Sequence, residues 1–120
     1  MSEKAKVLRQ SDFELSETAR RFEGEEYGVP ISFFMTEHPP GKLVPLHRHP
    51  YPETFVIRSG RGRFTAGEEK LEARGGEIVI VPPNTWHGFE SIGDEPLVQV
   101  SIHPAPRVEQ EWLGEDEPPR

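Results

Sequence analysis

Residues 41–60 read GKLVPLHRHPYPETFVIRSG: two β-prone runs, LVPLH at 43–47 and ETFVIR at 53–58, joined through PYP and bounded by Gly41 and Gly60. Working outward, the same rhythm continues. ISFFM at 31–35 precedes it, and GRFTA, KLEA, EIVIV, WHGFE and LVQVSI follow it, separated by the turn signals SGRG, AGEE, RGG, PPN and GDEP. Short strand-like pieces at this spacing, with no helix-period segment among them, predict antiparallel strands in a sandwich or barrel. Thirteen Pro and eleven Gly in 120 residues punctuate the chain too densely for long helices. The expected fold class is all-β.

The same stretch carries the chemistry. His47 and His49 are two apart, so a strand projects both imidazoles from one face, and Glu53 follows at even spacing beyond the bend. His87 follows the turn PPNT and opens WHGFE, from where a neighbouring strand of a closed barrel can bring it across. Three imidazoles and one carboxylate suit one first-row divalent ion, Fe, Mn, Ni, Cu, Co or Zn, with coordination positions left for a small ligand. Phe55 and Ile57 continue the face of Glu53 and Phe89 that of His87, so all three are expected to line the interior near the site. Trp86 and Tyr51 stand on loops beside ligand positions, at the expected mouth of a substrate pocket. His38 and His103 fall outside this pattern and read as solvated or loop residues. In LVQVSIH, Val98, Val100 and Ile102 share one face and are expected to point to the core, leaving Gln99, Ser101 and His103 to solvent, a partner or the pocket.

These residues resemble the cupins, small jelly-roll barrels that commonly hold one metal. The first cupin motif, Gly, five residues, His-x-His, three or four residues, Glu, six residues, Gly, is matched at every fixed position from Gly41 through His47, His49 and Glu53 to Gly60. The second, Gly, five residues, Pro-x-Gly, two residues, His, three residues, Asn, runs from Gly76 through Pro82 and His87, with Asn84 in place of a turn glycine and Ser91 in place of the terminal Asn. Asn tolerates the left-handed backbone better than other non-glycine residues, so the turn is expected to survive. Fifteen residues, 61–75, separate the motifs, as in compact bacterial single-domain cupins.

The resemblance implies a cupin-type jelly-roll barrel at 30–103, preceded by an N-terminal strand or arm at 1–29 and followed by an acidic, Pro-rich tail at 104–120 in which Trp112 alone could dock. Compact cupins frequently dimerise through one sheet and an exchanged N-terminal strand, for which residues 6–9 are the candidate, so a homodimer is expected. The family spans many reactions, and fold alone fixes none. The leading expectation is a metalloenzyme of oxygenase type acting on a small organic molecule. A non-catalytic metal or small-ligand binding module is the alternative, and a sugar-type isomerase a further one, although no Lys or Arg can be placed inside for a sugar phosphate.

Composition bounds the remaining classes. Lys plus Arg number 14 and Asp plus Glu 21, giving a net charge of -7, which disfavours nucleic acid or an anionic membrane as partner. No cysteine is present, so disulfides, thiolate metal sites and cysteine nucleophiles are excluded. No segment approaches the ~20 apolar residues of a membrane span, and MSEKAKVLRQ lacks the apolar core of a leader, so a cytoplasmic protein is expected.

Eighteen Glu and ten Arg can form ion-pair networks that gain value with temperature, while heat-labile side chains are few: one Asn, three Gln and two Met. The metal-free protein is therefore expected to melt above the mesophile range of about 45–65 °C. A calorimetric midpoint inside that range contradicts this expectation.

Overall fold

Alternation of apolar residues, interrupted by glycine and proline, gives eleven strands in the computed structural model, which describes residues 4–114. They are β1 Leu15–Ser16, β2 Ala19–Glu23, β3 Ser32–His38, β4 Leu43–Arg48, β5 Glu53–Ser59, β6 Arg61–Ala66, β7 Glu69–Arg74, β8 Ile78–Val81, β9 His87–Ile92, β10 Leu97–His103 and β11 Glu111–Trp112. Two antiparallel sheets, ordered β1-β2-β3-β10-β5-β8 and β11-β4-β9-β6-β7, face each other as a jelly-roll barrel. The strands from β3 to β10 fall on the runs expected from the sequence. No helix among the described residues is long and apolar enough to cross a membrane.

The barrel floor is aromatic. Phe55 from one sheet meets Phe64 and Phe89 from the other with ring centroids 5.2 and 5.6 Å apart, and Ile57, Val79, Val81, Val44 and Leu97 close around them. Phe55, Ile57 and Phe89 thus lie inside, as their alternation predicts, with Phe55 the ring that reaches His87, 6.2 Å away.

β10 reverses the face assigned to it from its apolar residues. Leu97, Gln99, Ser101 and His103 are buried and point inward, while Val98, Val100 and Ile102 are only half-buried. The register explains this: Ser101 lies opposite Phe55 and Phe34, and Gln99 opposite Ile57 and Thr36, whose side chains face the interior. Polar residues occupy the inner face because part of that interior is a polar site.

β4 contains the irregularity on which the site depends. Val44 pairs with Phe89 and His47 with His87, so three residue steps on β4 oppose two on β9. This bulge puts both Val44 and His47 inside, which strict alternation forbids. The bulged backbone presses against Gly88, where an added Cβ would stand 2.5 Å from the Val44 carbonyl oxygen. Across the barrel mouth, Asn84 adopts the left-handed conformation (φ 58°) expected of it, and its N–H donates to the His49 carbonyl at 2.7 Å.

The ends of the chain complete the barrel. Phe22 of β2 stacks on Phe33 of β3 at 4.5 Å, anchoring the N-terminal segment, whereas residues 4–9 form no strand. Residues 104–114, expected as a tail, are instead stitched to the barrel: β11 pairs with β4 at Arg48 and His47, Val108 N–H donates to Glu23, and Glu25 N–H to the Pro106 carbonyl. Proline and glutamate density makes this stretch read as unfolded, but backbone pairing needs no apolar pattern. Residues 115–120 of the expected tail lie outside the described residues.

Gly88→Ala is expected to cost about 1–3 kcal/mol, because the methyl group cannot be placed without moving the β4 backbone. Urea denaturation of the metal-free protein measures it, and unchanged stability would show that the bulge yields freely.

Candidate metal centre

The site is assembled at one end of the barrel by strand ends. His47 comes from the bulged β4, His49 from the turn after it, Glu53 from the first position of β5, and His87 from the first position of β9. All four are buried, at 0–2% exposure, and one ligand atom from each lies within 4.8 Å of all the others. The four residues singled out from the sequence are therefore brought together, and as a set they could hold a metal ion.

Outer contacts fix each imidazole. Nδ1 of His47 lies 2.8 Å from the Pro45 carbonyl oxygen, that of His49 2.9 Å from Glu109 O, and that of His87 2.8 Å from Thr85 O. A carbonyl only accepts, so each Nδ1 carries a proton and donates it. A neutral ring then presents the bare Nε2 lone pair inward. Glu53 Oε1 stands 3.0 Å from Nε2 of His49 and 2.8 Å from Nε2 of His87. Lone pairs and a carboxylate oxygen at such separations repel unless a cation lies among them or the rings gain protons. The donor set thus fits a divalent ion bound through three imidazole nitrogens and one carboxylate oxygen.

Aromatic side chains wall the site. Trp112 lies tilted against His47 at 4.6 Å, and Tyr51 stacks on His49 with centroids 5.2 Å apart and planes at 1°. Trp86 is half-buried and covered by the Arg48 guanidinium at 4.4 Å, and Arg48 also pairs with Glu111 at 2.9 Å. The contacts of Trp86 thus lie with Arg48, which projects opposite to the two flanking histidines.

Two histidines that read as solvated from the sequence are fully buried. His38, at the end of β3, takes a 2.8 Å hydrogen bond between Nδ1 and Thr18 Oγ1 and meets Phe89 edge-on; opposite Leu97, it lies six residues along β10 from His103, at the other end of the barrel. His103 belongs to the site. Its Nε2 is 3.1 Å from Glu53 Oε2 and its Nδ1 2.7 Å from Tyr51 Oη. The available signal is that His103 shares a strand face with Gln99 and Ser101, but the Val-rich opposite face reads as the core side. Glu109, which no motif marks, is invisible in the sequence because it acts through its backbone.

The cupin-domain profile matches residues 34–103. Over 71 residues the chain is 40% identical to an uncharacterized protein of Methanocaldococcus jannaschii, covering 58% of this chain and 57% of that one. It is 31% identical over 70 residues to a gentisate 1,2-dioxygenase of a Ralstonia species, covering 58% of this chain and 20% of that enzyme. The chain thus spans little more than half the length of the first relative and a fifth of the second. Among solved structures, oxalate decarboxylase from Bacillus subtilis at pH 4.6 superposes with a TM-score of 0.77 at 26% identity, over 88% of this chain and 31% of that one. A structure of the same enzyme described for its Mn(II) centres gives 0.75 at 25% identity, over 84% and 29%. With its two antiparallel sheets, its convergent histidines and glutamate and this profile match, the chain belongs to the cupin family.

Proposed function

We propose that this cupin is a metalloenzyme of oxygenase type that acts on a small organic molecule, with one divalent ion held by His47, His49, Glu53 and His87. The observation that carries the metal reading is that all three imidazoles set Nδ1 against a backbone carbonyl oxygen, an arrangement that turns each Nε2 toward the cluster. A divalent ion bound there would supply Lewis acidity or dioxygen activation. The chain's own part is to hold the donors rigidly and to keep the surroundings dry. Phe55 and Phe89 supply an apolar floor, and Tyr51 and Trp112 stand beside two of the ligands. Similarity to a gentisate dioxygenase and to an oxalate decarboxylase with Mn(II) centres supports small-molecule metal chemistry, although the chain spans only part of each.

The alternative is a non-catalytic metal or small-ligand binding module, with which the burial of all four candidate ligands is equally compatible. The isomerase reading loses support because no Lys or Arg among the described residues is buried. Oxygen uptake by the iron- or manganese-loaded protein with candidate aromatic and carboxylic acid substrates separates the first two. Turnover supports the oxygenase, and tight metal retention with no uptake across the set supports the module.

The protein purified without metal-affinity columns is expected to carry about one divalent ion per chain, and His49→Ala to lose most of it. Elemental analysis decides; full occupancy in the variant would remove His49 from the site.

The proposed homodimer finds support in Ile78 and Ile80, exposed at 62% and 67% on β8, which is an unpaired sheet edge in the protomer. Light scattering is expected to return twice 13.7 kDa, with Ile80→Glu shifting the protein toward monomer. A monomer mass for the unaltered protein would contradict the proposal.

A further inference from the structure

We propose that His103 and Tyr51 are positioning residues that restrict Glu53 to a single metal-facing oxygen, an inference that rests on the metal reading above. The two carboxylate oxygens of Glu53 already have different surroundings. Oε1 faces the ligand nitrogens of His49 and His87, at 3.0 and 2.8 Å, while Oε2 faces His103 Nε2 at 3.1 Å.

Tautomers separate His103 from the other three histidines. Tyr51 Oη accepts the Glu109 N–H at 3.0 Å and lies 2.7 Å from His103 Nδ1, which leaves its own proton to be given to that nitrogen. With Nδ1 accepting, the ring proton sits on Nε2, the nitrogen that stands 3.1 Å from Glu53 Oε2. His47, His49 and His87 carry their protons on Nδ1 and offer bare Nε2. The four imidazoles thus divide into three acceptors suited to a cation and one donor suited to a carboxylate. A protonated nitrogen does not ligate a metal, so His103 acts through Glu53.

The support is rigid. His103 is fully buried at the end of β10, paired in register with Ser32 and edge-on to Phe34 at 5.4 Å. Glu109 links His49 to the Tyr51–His103 pair: its carbonyl accepts from His49 Nδ1, while its N–H donates to the Tyr51 hydroxyl. A donor held beside Oε2 would compete for its lone pairs and make it the poorer metal ligand of the two oxygens, so the chain Glu109–Tyr51–His103 favours binding through Oε1 alone, which would leave a further coordination position for a small ligand.

The test uses the full chain, stripped of metal and titrated with Mn(II), in four forms: unaltered, Tyr51→Phe, His103→Phe and His103→Gln. His103→Phe keeps a planar ring but removes the N–H and is expected to weaken Mn(II) binding about ten- to a hundredfold. It should also change the zero-field splitting of the Mn(II) electron paramagnetic resonance spectrum, while the number of coordinated imidazole nitrogens stays at three. Tyr51→Phe should act in the same direction with a smaller change, and His103→Gln, which restores an N–H donor, should recover much of the affinity. Mn(II) affinity and spectra unchanged in both Tyr51→Phe and His103→Phe would overturn the proposal and leave the metal reading intact. Loss of one coordinated nitrogen in His103→Phe would overturn it by making His103 a ligand. Failure of the unaltered protein to bind any divalent ion would overturn the metal reading itself. Should His103→Phe fail to fold, Tyr51→Phe and His103→Gln carry the same comparison.

Discussion

A carboxylate without solvent contact is the constraint around which this barrel end is arranged. Glu53 is 0% exposed, and a charge removed from water must be met by positive charge or by donors at close range. Three imidazoles stand within 3.1 Å of its oxygens, and two of these present a lone pair rather than a proton. Neutral rings alone leave that arrangement electrostatically incomplete. A divalent ion would complete it, and the backbone carbonyls behind the rings of His47, His49 and His87 orient them to receive one.

Those carbonyls explain features of the fold that otherwise look incidental. The bulge in β4 turns His47 inward and places the Pro45 carbonyl 2.8 Å from its Nδ1. Gly88 exists without a side chain because that bulge passes directly over it. The left-handed Asn84 clips the turn before His87 to the backbone of His49, joining the two halves of the site. The C-terminal segment contributes a carbonyl to His49 and an aromatic wall to His47. The candidate metal centre is thus a property of at least four chain segments, although its four candidate ligands lie within residues 47–87.

What can be read from the residues and what cannot divide along physical lines. Strand positions, the turn conformation at Asn84 and the convergence of His47, His49, Glu53 and His87 follow from local alternation, turn chemistry and motif spacing, all written in short windows of sequence. The orientation of β10 does not, because inward and outward faces of a strand depend on what the other strands bring inside. Hydrophobicity alone favours the Val98, Val100 and Ile102 face; the interior instead needs His103 opposite Glu53. The roles of Glu109 and Thr85 are also unreadable, since both act through carbonyl groups that every residue possesses.

The distribution of protons over the imidazoles decides which nitrogens can hold a metal, and long-range proton–nitrogen NMR of the protein loaded with Zn(II) reads it directly. Three rings are expected to be protonated at Nδ1 with Nε2 shifted by the metal, assigned to His47, His49 and His87, and a fourth, His103, protonated at Nε2 with no metal shift. A metal-shifted nitrogen in His103, or an Nε2 proton on any of the other three, would contradict it.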